Sequence, residues 1–281
     1  MPEGHTIHRL AARHRELFAG RRVRAASPQG RFAAGAARLD GAVLRDTEAH
    51  GKHLLHHYGP RGRRHCGEHG EHGVALHVHL GLYGRFTDGA APTPAPLGQV
   101  RLRLTTEAHW LDLRGPAACE LLDPPAVAAL RARLGADPLR ADADPAAAYD
   151  RIRRHAAPLA GLLLDQSVVA GAGLVYVSEV LFRAGIAPTR PGRAVSPAQW
   201  ARLWTDLREL MRVGVARGRI DTVHAHHTPE AMRRPPREDR HGGEVYVYRR
   251  AGQPCLVCGA AVAGGALGGR NSYWCPTCQP G

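Results

Sequence analysis

Four of the six cysteines fall into two pairs, Cys255-x-x-Cys258 and Cys275-x-x-Cys278, with sixteen residues between them. Each C-x-x-C turn offers two thiolates to one ion, and two such turns complete a closed tetrahedral site with no position left for substrate. The spacing predicts one structural zinc ion, the alternative being a redox pair. Cys66 and Cys119 stand alone and read as ordinary small residues. A different chemistry is offered at the other end, where the chain reads Met1-Pro2-Glu3-Gly4. Removal of the initiator methionine would leave the Pro2 nitrogen as a free secondary amine. A terminal amine titrates near about 7.7 to 8.0 against about 10.4 for lysine, so at neutral pH its reactive neutral fraction is roughly a few hundred times larger. Attack of a secondary amine on an aldehyde carbon gives an iminium, an electron sink that acidifies neighbouring protons. Glu3 is placed to move those protons.

The elements that must position these groups follow from periodicity. Ile7, Leu10, Ala11, Leu17 and Phe18 lie roughly on one side of a helix beginning after Gly4. Val74, Leu76, Val78, Leu80 and Leu82 alternate with other residues, as do Val100, Leu102 and Leu104, predicting half-buried strands separated by a Pro/Ala loop at Ala90 to Pro96. From about residue 123 the character becomes helical. Ser196-Pro197 starts a helix whose core face is Trp200, Leu203, Trp204, Leu207, Leu210 and Met211. Residues 222–243, with Arg233, Arg234, Arg237 and Arg240, read as a mobile connector with phosphate affinity. Val245 and Val247 alternate with Tyr246 and Tyr248 as a short strand leading into the cysteine module.

Composition bounds the function. The 281 residues are 44% hydrophobic, enough for two or three cored modules, and no apolar run reaches membrane-spanning length. No signal-peptide layout opens the chain, so a cytoplasmic protein is expected. Thirty-eight basic residues against 25 acidic leave a net charge of +13, which points to nucleic acid ahead of an anionic membrane. Only one of the basic residues is a lysine, Lys52.

Taken together, these motifs resemble the formamidopyrimidine-DNA glycosylase and endonuclease VIII family. Met1-Pro2-Glu3-Gly4 is similar to its catalytic start and Gly51-Lys52-His53-Leu54-Leu55 to its lysine motif. Leu134-Gly135-Ala136-Asp137-Pro138-Leu139, then Leu164-Asp165-Gln166-Ser167 and Gly171-Ala172-Gly173, resemble its helix-two-turn-helix domain. Gly269-Arg270-Asn271-Ser272-Tyr273-Trp274-Cys275 resembles its zinc-finger hairpin. The resemblance implies an α+β protein. Its parts would be an N-terminal β-sandwich catalytic domain (1–122), a helix-two-turn-helix domain with a basic connector (123–243) and a four-cysteine zinc finger (244–281). It implies a glycosylase and lyase of base-excision repair, acting as a monomer on duplex DNA with damaged bases or abasic sites, with zinc and no organic cofactor. Pro2, Glu3, Lys52 and Arg270 would be the catalytic residues, Lys52 and Arg270 holding phosphates beside the lesion and, by the family's pattern, donating protons in β- or βδ-elimination, while Leu82, Tyr83, Gly173 and Asn271 would contact the DNA.

Departures from the pattern sharpen the expectation. Leu174 stands where the family places a phosphate-binding asparagine, and His5-Thr6 replace its second acid. Leu82-Tyr83 resembles the endonuclease VIII wedge that fills the gap left by a flipped base, whereas Asp112-Leu113-Arg114-Gly115-Pro116 lacks the Arg-Phe pair of the formamidopyrimidine branch. Oxidised pyrimidines are therefore expected ahead of 8-oxoguanine. A cluster from His65 to His72 offers metal ligands but reads as chance among 18 histidines. The competing class is a non-catalytic binder of distorted duplex, which would have no use for an unblocked Pro2 or for Lys52. With one lysine in the chain, a Schiff base can form only there or on the terminal amine.

Overall fold

The computed structural model describes residues 2–59, 73–238 and 243–281. The His65–His72 cluster, Cys66 and Arg240 lie outside the described residues. The chain divides into two compact units, the first holding Pro2 and residues 7–133, the second residues 3–6 and 134–281.

Helix α1 (Gly4–Phe18) buries Ile7, Ala11, Leu17 and Phe18, the face its spacing predicts. Eight strands follow: β1 (Arg24–Ala26), β2 (Val43–His50), β3 (His53–Gly59), β4 (Val74–His79), β5 (Arg85–Ala90), β6 (Val100–Thr105), β7 (His109–Arg114) and β8 (Ala118–Leu122). They form two four-stranded antiparallel sheets, ordered β1-β6-β7-β5 and β2-β3-β4-β8. Leu44, Leu54, Leu76 and Val78 from one sheet and Leu102, Leu104, Leu111 and Leu113 from the other fill a shared core. Two short helices complete the unit, α2 (Ala33–Leu39) and α3 (Pro124–Ala132), the latter capped by Asp123 and packed on β4 and β8. The strand expected to run through Leu82 ends at His79. Gly84 N–H bonds the Leu80 carbonyl at 3.0 Å and Gly81 takes φ +66°, so the chain turns and leaves Leu82 outside.

Alternation in β7 is incomplete because Asp112, on the face away from Leu111 and Leu113, is also fully buried. Its carboxylate takes a bidentate pair from Arg103 at 2.7 and 2.8 Å and a third bond from Arg114 at 2.8 Å. A charge with no solvent needs that degree of pairing to be tolerated.

In the second unit α4 (Pro145–Ile152), α5 (Leu159–Leu164), α6 (Leu174–Arg183) and α7 (Pro197–Arg217) pack around Tyr176, Val180, Leu181, Trp200, Leu203, Leu207 and Met211. Ser196 and Gln199 form a capping box that starts α7, and Gly218 in the left-handed region ends it. A short helix, α8 (Pro229–Met232), precedes the hairpin of β9 (Ala263–Leu267) and β10 (Arg270–Trp274). Two expectations are corrected here. Residues 245–248 form no strand, because the N–H groups of Tyr246, Val247 and Tyr248 bond the fully buried Glu179 carboxylate at 2.6 to 2.8 Å instead of a partner strand. The described part of the connector is tied down by an Arg234–Glu244 ion pair at 2.6 Å and by Arg237, which donates to the carbonyls of Gly243 and Tyr248. No helix among the described residues is long and apolar enough to cross a membrane.

Buried histidines give the first unit a pH dependence. His14 Nδ1 and His56 Nε2 lie 2.9 Å apart with neither ring exposed. Burial, reinforced by His56, pulls His14 well below the usual histidine range, and burial with His57 pulls His56 down to about 3. Folded-state values lie below the unfolded one, so the unfolded chain binds protons first. Stability is full above about pH 6.5 and falls towards acid by up to about 1.4 kcal/mol per pH unit for each ring. Thermal unfolding across pH 7.5 to 5 is expected to show this loss, and a His14→Gln/His56→Gln variant to flatten it.

Candidate active site and zinc hairpin

Glu3 is 0% exposed, and its carboxylate sits on the N-terminus of α6. Oε2 accepts from Gly173 N–H at 2.9 Å and Oε1 from Val175 N–H at 3.0 Å. These are two of the donors that a helix leaves without intrahelical partners, at the end where its dipole favours negative charge. Three glycines make the approach possible. A Cβ on Gly173 would lie 2.4 Å from the Glu3 carboxyl carbon, and one on Gly4 would lie 2.9 Å from Gly171 Cα. Gly4 N–H bonds the Gly171 carbonyl at 2.9 Å, and Gly171 takes φ +93°. The Glu3-Gly4 dipeptide and the Gly171-Ala172-Gly173 loop are thus two halves of one fitting. Gly173, expected at the DNA interface, gives its N–H to Glu3.

Gln166 braces this loop from beneath. Its side-chain NH2 donates to the carbonyls of Leu164 and Ala172 and its oxygen accepts from Gly171 N–H at 2.9 Å. Gly135 N–H in turn bonds the Gln166 carbonyl, and Ala136 bridges Val169. The motifs at 134–139, 164–167 and 171–173 therefore converge on the support of Glu3. Tyr176 lines the same region, its ring edge-on to His5 at 5.4 Å, and burial followed by Glu3 pushes its hydroxyl above the usual tyrosine range. Sequence reasoning quoted Gln166 only as part of a motif and passed over Glu179 entirely. The legible signal for Glu179 was one acid inside the apolar run Leu174–Phe182.

In the first unit, Gly51 with φ +58° and Lys52 form the turn between β2 and β3. The register pairing His53 with His79 puts that turn at the same sheet end as the Gly81–Gly84 turn. Leu82 and Tyr83 project there, 58% and 85% exposed. Two large side chains held out in water on a glycine-fixed turn are an unsatisfied apolar surface. Behind Lys52, His53 Nδ1 lies 2.8 Å from His77 Nε2, and His77 Nδ1 lies 2.9 Å from Glu120. Burial pulls His53 down to about 3, and burial, His77 and the Lys52 charge lower His79. His53 and His79 are thereby biased towards the neutral form beside the Lys52 charge. Arg114, the last residue of β7, is locked by Leu97 O, Thr87 Oγ1 and Asp112.

The four cysteine sulfurs of the hairpin module lie within 4.8 Å of one another, with Cys255–Cys278 at 3.9 Å and Cys258–Cys275 at 3.4 Å. A tetrahedral zinc–thiolate site with bonds near about 2.3 Å requires sulfurs about 3.8 Å apart, so the donor set fits the ion. Backbone bonding from Ala260 draws the Cys258 thiol down to about 7, nearest the thiolate form that binds metal. The hairpin above the site turns through Gly268 and Gly269, both with positive φ, the two-residue turn that matches strand twist. Arg270 and Asn271 follow the turn and are exposed. Together with Leu164, Gln166 and Leu174 they line a cavity of about 570 Å3. Arg270 Nη1 donates to the Leu164 carbonyl at 3.4 Å.

Residues 1–119 match the formamidopyrimidine-DNA glycosylase N-terminal domain, residues 134–225 the formamidopyrimidine-DNA glycosylase H2TH domain, and residues 252–281 the zinc finger found in FPG and IleRS. Endonuclease 8 1 of Mycobacterium tuberculosis is 49% identical over 99% of this chain and 100% of its own length. The chain belongs to the formamidopyrimidine-DNA glycosylase and endonuclease VIII family. Formamidopyrimidine-DNA glycosylase of Parasynechococcus marenigrum is 30% identical over 99% of both chains. The fold is similar to that of Lactococcus lactis Fpg in complex with abasic-site DNA, at a TM-score of 0.76 and 20% identity over 99% of this chain and 100% of that one. Membership makes this protein a DNA glycosylase with lyase activity at abasic sites, and its cysteine cluster the family's zinc finger.

Two outcomes follow from this geometry. Gly173→Ala should displace the Glu3 carboxylate and lower base excision on the order of 100-fold, the scale of an ångström-sized misplacement, in single-turnover assays. Chelation of zinc should unfold the hairpin that carries Arg270, with loss of DNA binding in a gel-shift titration and recovery when zinc is returned.

Proposed function

We propose that this glycosylase removes oxidised bases, pyrimidines ahead of purines, from duplex DNA through the Pro2 amine and nicks the resulting abasic strand. The observation that carries the reading is the Glu3 carboxylate, buried and held by two backbone N–H groups one residue from Pro2. With Met1 removed, the Pro2 nitrogen attacks the sugar C1′ and the base leaves with the glycosidic bonding pair, taking up a proton. Opening of the sugar ring and loss of the N–H proton give a cationic iminium. That cation forms one residue from the anchored carboxylate, which stabilises it and relays protons. The iminium acidifies the C2′ hydrogens, so loss of one expels the 3′ phosphate and cuts the strand.

Lys52 and Arg270 serve as phosphate clamps. Arginine is a poor proton donor because its pKa exceeds about 12, so holding an anion suits Arg270 better than proton transfer. Asn271, beside it on the hairpin, joins the backbone contacts. Leu82 and Tyr83 fill the space vacated by the flipped base, an apolar insertion that supports the unpaired partner. The pyrimidine preference rests on that pair and on Arg114 being locked in the sheet rather than free to insert.

Borohydride reduction with a thymine-glycol or abasic duplex is expected to trap a covalent adduct that peptide mapping places on Pro2. An adduct on Lys52, or an undiminished one when an extra residue precedes Pro2, would overturn the assignment. A thymine-glycol duplex should be cleaved faster than an 8-oxoguanine duplex in a single-lesion panel. Arg270→Ala should weaken duplex binding and lower its salt slope by about one counterion.

A further inference from the structure

A line of hydrogen bonds crosses one face of the β2-β3-β4-β8 sheet and ends beside the Lys52 turn, and no part of the mechanism above uses it. His53 in β3, His77 in β4 and Glu120 in β8 stand on adjacent strands, His77 and Glu120 directly paired in register. His53 Nδ1 lies 2.8 Å from His77 Nε2 with the two rings stacked at 5.1 Å, and His77 Nδ1 lies 2.9 Å from Glu120 Oε1. The His77 side chain is 4% exposed and that of Glu120 56%, so the line runs from solvent through a buried ring. An apolar residue at position 77 would pack there with nothing to satisfy, whereas a buried imidazole needs its partners.

The carboxylate at one end sets the order of donors. An ionised carboxylate only accepts, so His77 donates from Nδ1 and, as a neutral ring, accepts at Nε2. His53 then donates from Nδ1, which makes Nε2 the lone-pair nitrogen of the residue that follows Lys52. His53 also pairs with His50 in register and so closes the Gly51-Lys52 turn, which means that pinning its ring pins the stem of that turn. Burial first, then His77, His79, Arg133 and His50, disfavours a proton on His53. Lys52 acts in the same sense on His79, whose ring lies 5.0 Å from that of His53. An anion docked at Lys52 supplies the opposite charge, and an opposite charge close by favours the protonated ring.

We propose that Glu120 and His77 act through His53 as positioning residues for the Lys52 phosphate clamp, and that the chain takes up one solvent proton on His53 Nε2 when a DNA phosphate docks. The one bond formed is that N–H bond. The Nδ1 hydrogens of both rings stay in place, and the new imidazolium is balanced by the phosphate on one side and, through His77, by Glu120 on the other. The proposal rests on Lys52 holding a phosphate and adds a proton linkage to it. Linkage is reciprocal, so protein that has taken the proton binds the phosphate more tightly.

Glu120→Gln provides the test, because its amide oxygen still accepts from His77 and only the charge is removed. The ligand is a duplex carrying a tetrahydrofuran abasic-site analogue, which has no C1′ hydroxyl and so cannot open to form an imine. Calorimetric titration at about pH 7 in two buffers of different ionisation enthalpy counts the protons taken up on binding. Wild type is expected to take up part of a proton, with affinity rising by at most about tenfold per unit as pH falls from 8 to 6. Glu120→Gln should lose most of that uptake at an unchanged unfolding temperature, and Glu120→Asp should regain it. Equal uptake in wild type and Glu120→Gln, or a loss that Glu120→Asp does not regain, would overturn the proposal. Lys52→Met, read by its salt slope at pH 8, tests the clamp by itself: a slope lower by about one counterion supports it, and an unchanged slope removes the clamp, so the two readings can fail separately.

Discussion

The N-terminal segment depends on holding one carboxylate, that of Glu3, where there is no water. Burying a lone carboxylate costs several kcal/mol even after relaxation. The two N–H bonds from Gly173 and Val175, at about 1.5 to 3 kcal/mol each for a charged acceptor, together with the α6 dipole, are of the size needed to offset it. That requirement explains the glycines around Glu3 better than any turn preference does. Gly4 and Gly173 are sites where a single added carbon would collide with backbone, with Met211 or with the carboxylate itself, and Gly171 takes φ +93°.

Helix α6 carries a second buried acid that extends the same logic. Glu179 accepts from three consecutive backbone N–H groups and from the Thr222 hydroxyl at 2.6 Å. One helix thereby fixes both the acid beside Pro2, through its first turn, and the chain segment leading into the zinc hairpin, through its middle. Zinc closes the module at its far end and the glycine turn presents Arg270. The hairpin that carries Arg270 is therefore held by a frame of satisfied buried charges, not by a loose basic segment.

Charge is divided between a general and a particular use. Thirty-seven arginines supply attraction to a polyanion, and many of them are also structural, as Arg103, Arg114, Arg183 and Arg250 show by their buried or paired guanidiniums. The single lysine stands on a two-residue turn among histidines biased towards the neutral form by burial. A compact ammonium there is a point charge with rotatable donors, which a planar guanidinium does not reproduce. Leu174 shows the opposite trade. At the first turn of α6 it lines the cavity under Arg270 with an apolar side chain, where the family pattern has a polar one.

Much of the fold was legible before any coordinates. Cysteine spacing alone specified the zinc donors, because a tetrahedral ion constrains ligands at short chain separation. The period of apolar residues located α1 and α7, since a helix face is a local property. The resemblance nominates Pro2, Glu3, Lys52 and Arg270, but not the groups that hold them. That Glu3 rests on Gly173 and Val175 depends on a contact 170 residues apart in the chain. The expected strand at Val245–Tyr248 failed for a related reason: its alternation was real, but the N–H groups had a buried carboxylate to satisfy them and no partner strand. The connector arginines read as loose because nothing local announces that Glu244 and Tyr248 hold them. Sequence by itself determined the ligand chemistry, the helix faces and the charge. Only the tertiary structure decided which buried charges are paired and by whom, because burial and long-range hydrogen bonds belong to the folded chain and leave no spacing of their own.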